Sequence, residues 1–218
     1  MTGSRGGIGS ALVARLESEG AQVRGLDLVD GFDVSDPDAW TAIEPADLVA
    51  LNAGVLALGD GSIEDYRRVL AVNVDGVVFG VQSLAPRMRP GSAFVVTSSL
   101  AGLIPMPSDP LYSLTKHAVL GFARSVAPEL AERGIRINAV CPGIVRTPMS
   151  APVQDRLSAD GFPLLEPEDV AEAILAAARA DETGQAWVCQ PGREPLLFRF
   201  PNVPGPRVAG AEGKVPAL

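Results

Sequence analysis

A chain of 218 residues, 47% hydrophobic and 20% charged, has the make-up of one ordinary globular domain with a core of its own. Its net charge of −8 and pI near 4.7 argue against a nucleic-acid binder, which would carry a basic face. The one histidine, His117, excludes a histidine metal cluster, and Cys141 and Cys189 lie too far apart for a ligand pair, so no metal is expected and the cysteines read as free thiols of a cytoplasmic protein.

No long uninterrupted apolar run predicts a membrane span, and no basic stretch leads into an apolar one as in a secretory signal. The chain opens on a glycine-rich turn, Thr2-Gly3-Ser4-Arg5-Gly6-Gly7-Ile8-Gly9, leading into a helix predicted over Ser10–Glu19 and closed by Gly20. Such a turn lets the backbone approach a pyrophosphate, and the amides of the helix N-terminus then hold the anion. A plain structural turn is the alternative. Ala21–Asp27 is predicted as a strand, with Asp27 standing 18 residues beyond Gly9. There a carboxylate can accept hydrogen bonds from adenosine ribose hydroxyls and repel a 2′-phosphate. Arg5 and Arg24 weigh the other way, because a guanidinium pairs with phosphate. Asp33-Val34, followed by Ser35-Asp36, reads either as an adenine contact or as a capped turn.

Asp47–Leu51 is short and apolar, as buried parallel strands are, and runs into Asn52-Ala53-Gly54, small enough for the backbone to pass close to a ligand. Ser62 predicts an N-cap for a long helix reaching about Met88, which Pro90-Gly91 stops. Ala93–Thr97 is a strand ending at Ser98-Ser99. A second long helix is predicted from about Pro110 to Arg133, then a strand over Ile135–Val140, an amphipathic helix over Glu168–Arg179 and a short strand over Ala186–Cys189. From Pro191 onward proline and glycine are frequent, which predicts an extended or partly disordered tail over 191–218, outside a domain spanning 1–190.

This alternation predicts an α/β fold, a Rossmann-type doubly wound parallel sheet with helices on both faces. Its first strand is missing ahead of Thr2. That strand belongs between those at 21–27 and 47–51, and its absence would leave two inner edges short of several hydrogen bonds at about 1 kcal/mol net each. The expectation is a native start roughly five to ten residues earlier, the length of one strand.

Tyr112 and Lys116 stand at i and i+4 on the second long helix, which puts phenol and ammonium on one face. A phenol titrates near 10, too high for a base at neutral pH, and a fixed positive charge beside it favours the phenolate. A serine at the end of the neighbouring strand, Ser99, can hold a substrate oxygen beside it. Taken alone, a Tyr-x-x-x-Lys pair is common on solvent-facing helices. His117 follows Lys116 and is turned about 100° away, so it is read as structural. Leu100, Leu103, Ile104 and Met106, with residues near Met149 and Phe162 in a loop over 149–165, read as an apolar substrate pocket, core or subunit interface.

In order and at matching intervals, Thr2-Gly-x-x-x-Gly-Ile-Gly9, Asp33-Val34, Asn52-Ala53-Gly54, Asn73, Ser99, Tyr112-x-x-x-Lys116 and Pro142-Gly143 resemble the short-chain dehydrogenase/reductase family in its compact single-domain branch. The resemblance runs from Thr2 to about Thr147 and continues loosely to Cys189. It implies that Gly3, Ser4, Arg5, Gly7, Ile8 and Gly9 hold the pyrophosphate, that Asp27 binds the ribose, and that Asp33 and Val34 contact adenine. Asn52, Ala53 and Gly54 would lie beside the cofactor, with Pro142, Gly143, Ile144 and Thr147 positioning the nicotinamide. Ser99, Tyr112 and Lys116 match the catalytic triad and Asn73 the residue completing a proton relay. Tyr112 and Lys116 would also touch the cofactor.

The implied activity is hydride transfer between NAD, preferred over NADP, and an apolar or small neutral secondary alcohol or ketone. An NADPH-linked carbonyl reductase of the same fold and an inactive cofactor-binding scaffold are the rival readings. The resemblance also implies a homotetramer or homodimer. Leu51 replaces the first of the family's paired asparagines, and the tail beyond Pro191 departs from its usual ending.

Overall fold

Leu48–Leu51 (β1), Ala93–Thr97 (β2) and Arg136–Pro142 (β3) are nearly continuous apolar runs because both faces of the sheet they form are covered. Side chains alternate between two cores. Val49, Leu51, Phe94, Val96 and Ile137 point one way, toward Val77, Val81 and Leu84 of one helix and Val119 and Ala123 of another. Ala50, Val95 and Val140 point the other way, toward Leu12 and the apolar stripe Val170, Ala171, Ile174 and Leu175. The computed structural model describes residues 1–57 and 61–202 together with 204, 208 and 210.

The helices are α1 (Gly7–Ser18), α2 (Ile63–Leu70), α3 (Gly76–Leu84), α4 (Pro110–Glu132), α5 (Ala151–Ala159) and α6 (Pro167–Arg179). Ala186–Cys189 (β4) and Leu196–Leu197 (β5) complete the strands. Among the described residues one sheet runs β1-β2-β3-β4-β5, parallel except for the antiparallel β4–β5 pair. The architecture is the expected Rossmann-type α/β sheet.

Three expectations need correction. Ala21–Asp27 forms no strand. Its contacts toward β1 run through Met1 and Thr2: Leu26 N–H donates to Met1 O (2.9 Å), Thr2 N–H donates to Ala50 O (3.0 Å), and a single Thr2–Leu26 bridge results. The tail beyond Pro191 is extended, one of its two expected states, but over Leu196–Leu197 it joins the sheet instead of lying outside the domain. Leu196–Leu197 pair with Trp187 and Val188, and Phe198 and Phe200 pack edge to face (4.9 Å) on the apolar patch with Leu103 and Val188. The Arg124 guanidinium lies 3.6 Å from the Phe200 ring centroid, a cation–π contact that proline and glycine content could not foretell.

The long helix expected from Ser62 runs over Ile63–Arg87, and a π-helical turn over Ala71–Asp75 lies within it between α2 and α3. Over Ile63–Arg87 this segment reaches a mean hydropathy of 1.4, long and apolar enough by composition to cross a membrane. Val69, Val77, Val81 and Leu84 are nevertheless core residues here. The loop over 149–165 is largely helical, as α5.

Candidate active site

The glycine turn is built for a backbone that comes very close to its neighbours. Gly3 has φ 65°, a left-handed conformation that favours glycine, and a β-carbon on it would sit 3.0 Å from Ala53 Cα. A β-carbon on Gly9 would lie 1.9 Å from Gly3 O, so α1 starts directly against the turn. Its N-cap, Gly6, offers no side-chain acceptor and its first turn holds no acid, so the positive end of the helix is not neutralised from within. The Thr147 methyl stands across the turn, 2.6 Å from where a Gly7 β-carbon would be. The turn and the loop after β3 are therefore brought together, as the sequence expects. Ile8 packs partly into the core, and the Ser4 hydroxyl lies against Gly25.

Asp27 ends the segment at Leu26 and accepts from the backbone N–H of Arg5 (2.9 Å) and of Val29 (3.1 Å), tying the glycine turn to the neighbouring loop. Arg5 itself pairs with Asp30 through Nε (2.8 Å) and Nη2 (3.0 Å). Asp33 closes its own turn by accepting from Ser35 N–H (2.9 Å) and Oγ (2.7 Å), while buried Val34 packs on Gly76 and accepts Trp40 Nε1 (2.9 Å). These contacts close a turn around Asp33-Val34. A depression of about 210 Å³ beside Ser4 and Arg5 is otherwise lined by Val13, Glu17, Val23, Gly25 and Asp30, and none of the proton-carrying residues reaches it.

Asn52 locks the glycine turn to the sheet. Its N–H donates to Thr2 Oγ1 (2.9 Å), its carboxamide donates to Thr2 O (3.3 Å) and accepts from Thr97 Oγ1 (3.1 Å). At the carboxyl end of β2, Ser98 Oγ donates to Lys116 O (2.9 Å) and Ser113 Oγ donates to Ala101 O (2.8 Å). Gly102 allows this approach, since a β-carbon there would meet both Lys116 O and Ser98 Oγ at 2.6 Å. Helix α4 is thus docked on the turn after Ser99, which brings the Tyr112 phenol close enough to the Ser99 hydroxyl to be influenced by it. Lys116 Nζ donates to Thr97 O (2.9 Å) and sits 5.4 Å from the Tyr112 ring centroid. Ser99, Tyr112 and Lys116 converge as the sequence predicts.

Their titration differs from that expectation. Burial pushes the Tyr112 phenol up to about 12, offset only in part by the nearby Ser99 hydroxyl and reinforced by the Asp109 carboxylate. Burial pulls Lys116 down to about 8. In the chain alone, desolvation outweighs the help that the ammonium was expected to lend the phenolate. Lys116 is protonated in both states below pH 8 and loses its proton first in the folded state, so its stability contribution grows from about pH 8 to 10.5. Tyr112 keeps its proton longer when folded, so its contribution is lost from pH 10 to about 12. The melting-temperature gap between wild type and Lys116→Met should therefore move in favour of wild type across the first window; a constant gap would remove the assignment.

Asn73 lies in the π-helical turn and is 1% exposed. Its carboxamide accepts from Val55 N–H (2.8 Å) and donates to Val55 O (2.9 Å) and Thr115 Oγ1 (3.0 Å). Asn73 Oδ1 and Lys116 Nζ each lie 3.3 Å from the position of a Gly54 β-carbon, so a path between them runs over a residue without a side chain. Sequence reading passed over Asp109. It caps α4 by accepting Tyr112 N–H (2.8 Å) and holds the facing loop through Ala57 N–H (2.9 Å). The signal was present, an N-cap acid followed by Pro110. His117 bonds through Nδ1 to Ser113 O (2.9 Å) on its own helix, in a structural role.

Residues 37–188 match the sequence model of a family described as Enoyl-(Acyl carrier protein) reductase. An uncharacterized short-chain type dehydrogenase/reductase of Sinorhizobium fredii is 33% identical over 88% of this chain and 42% of its own length. The 3-alpha-(or 20-beta)-hydroxysteroid dehydrogenase of Mycobacterium tuberculosis is 31% identical over 69% of each. The chain belongs to the short-chain dehydrogenase/reductase family. A solved short-chain dehydrogenase/reductase of Brucella melitensis, described as a glucose/ribitol dehydrogenase, superposes with a TM-score of 0.80 at 25% identity, over 88% of this chain and 94% of that one. The chain thus spans less than half of the Sinorhizobium relative and nearly all of the Brucella fold.

Proposed function

We propose that this chain is an NAD-dependent oxidoreductase acting on a neutral cyclic secondary alcohol or ketone. The observation that carries the reading is the meeting of the Tyr112 phenol, the Ser99 hydroxyl and the buried Lys116 ammonium at the carboxyl ends of β2 and β3, where ligands bind in open α/β sheets. When bound, the nicotinamide dinucleotide accepts or supplies the hydride. The residues fit such a group: an uncapped helix end behind Gly3, Gly7 and Gly9 suits its pyrophosphate, and Thr147 faces the same turn.

The chain's own residues handle the proton. With its pKa near 12, Tyr112 is held as an O–H donor, suited to protonating the oxygen of a ketone as it becomes an alcohol. Ser99 holds that oxygen in place beside the phenol. In the opposite direction Tyr112 must act as a base, and Lys116 favours the phenolate that results. The hydroxysteroid-dehydrogenase relative and the exposed apolar side chains Ile104, Met149 and Phe162 support a cyclic, largely apolar substrate.

The preference for NAD rests on Asp27 and on Asp30, which occupies the Arg5 guanidinium that a 2′-phosphate would need. Asp27→Ala should narrow the preference for NAD over NADP by about tenfold, one charge contact being worth roughly 1–2 kcal/mol. Turnover of a panel of cyclic alcohols and ketones with both cofactors, followed by reduced-nicotinamide absorbance, tests the activity and the preference together. An unchanged cofactor ratio in the variant would remove Asp27 from the discrimination. The exposed Ile63 of α2 and Leu114 of α4 support assembly into a dimer or tetramer through these helices.

A further inference from the structure

Gln190 lies just past β4, on the face of the sheet that carries the proton site. Side chains alternate along a strand, and Ala186 and Val188 face the patch that also holds Cys141, Leu103 and Leu120. Continuing that alternation puts Gln190 on the same face, at the carboxyl rim of the sheet. Its neighbour across the ladder is fixed by the Pro142–Cys189 pair and by Gly143 N–H donating to Cys189 O (3.0 Å). Gly143 makes room for it: a β-carbon there would lie 2.7 Å from Gln190 Oε1 and 3.7 Å from a Leu100 methyl. Leu100 directly follows Ser99, and the thiol of Cys141, on the same face, is close enough to Tyr112 and Lys116 to act on both.

The carboxamide is half-buried in these surroundings, and it makes no hydrogen bond among the described residues. Its companions are apolar: Leu100 beside it, and Leu103, Val188 and Phe198 lower on the face. A solvent-accessible carboxamide bordered by apolar side chains is what a substrate pocket uses to fix orientation. A site built to hydrogen-bond one substrate group rejects the analogue lacking it far more strongly than a purely apolar site can.

We propose that Gln190 is a specificity-determining residue, whose carboxamide hydrogen-bonds a second, neutral oxygen of the substrate, a hydroxyl or carbonyl remote from the reacting carbon. The substrate class is then a cyclic alcohol or ketone with two oxygen functions, one at Tyr112 and Ser99 and the other at Gln190. This rests on the oxidoreductase reading above.

The test compares cyclohexanol with a cyclohexanediol whose hydroxyls sit on opposite ring carbons, using wild type and Gln190→Met, which keeps the length and removes the amide. The diol-to-cyclohexanol ratio of kcat/KM should fall about tenfold in the variant, the size of one lost hydrogen bond, with cyclohexanol turnover kept within about twofold. An unchanged ratio with both alcohols turned over overturns the proposal and leaves the oxidoreductase reading intact. An equal loss on both alcohols also overturns it, because Gln190 would then be structural. If wild type turns over neither these alcohols nor any member of the wider panel, the oxidoreductase reading itself falls and Gln190 with it.

Discussion

Tyr112→Phe is expected to lower kcat about a thousandfold, within the range usual for the loss of a positioned acid or base. The ring stays and only the O–H goes, so packing against Lys116, 5.4 Å from the ring centroid, should survive. The dissociation constant for the nicotinamide cofactor, read by fluorescence titration, should change by less than about threefold, since the phenol's proposed work is on the substrate oxygen. Loss of activity together with loss of cofactor binding would point to a disturbed fold. Residual turnover within about tenfold of wild type would end the proton-transfer role.

A second large effect is expected at Gly9. Gly9→Ala places a methyl group where Gly3 O now stands, 1.9 Å from the new carbon. The obstruction is backbone, and it sits in the turn that Asn52 and Thr2 clamp to β1 and β2, so no flexible side chain can swing aside. Overpacking of this kind costs about 3 kcal/mol or more, which in a chain of this size corresponds to roughly 6–12 °C in Tm. Gly7→Ala is the informative contrast. Its new methyl meets side chains and no backbone, Thr147 at 2.6 Å and Pro167 at 3.6 Å, so Tm should fall by much less while cofactor affinity drops. Equal melting temperatures for wild type and Gly9→Ala would show that the turn relaxes freely.

These two variants separate what each part of the site does. The glycine turn, held by Asn52 and by the Asp27 carboxylate on Arg5 N–H, is a rigid backbone cradle. The proton site is a docking of one helix on one loop, through Ser98, Ser113 and the approach that Gly102 permits. The two share the end of β2, where Thr97 gives its hydroxyl to Asn52 and its carbonyl to Lys116. A change at either one is therefore felt at Thr97.

Much of this was legible in the sequence because it is local. Apolar runs of strand length, an i, i+4 pair on a long helix, a glycine-rich turn and the Ser62 cap depend on residues near one another, and β1 to β4, α4 and the convergence of Ser99, Tyr112 and Lys116 follow from them. What needed the tertiary structure is non-local. Ala21–Asp27 has strand composition but makes only the single Leu26–Thr2 bridge, and Leu196–Phe200 lies in a proline- and glycine-rich tail yet is held by β4, Leu103 and Arg124. The charge state of the Tyr112–Lys116 pair belongs to the same class. From spacing alone Lys116 should lower the Tyr112 pKa; burial of both groups, which no spacing reveals, reverses the balance and leaves the phenol near 12 and the ammonium near 8. The sequence by itself determined which residues could meet, because periodicity is written in the chain, while the fold alone decided how dry the meeting place is, because desolvation depends on everything packed around it.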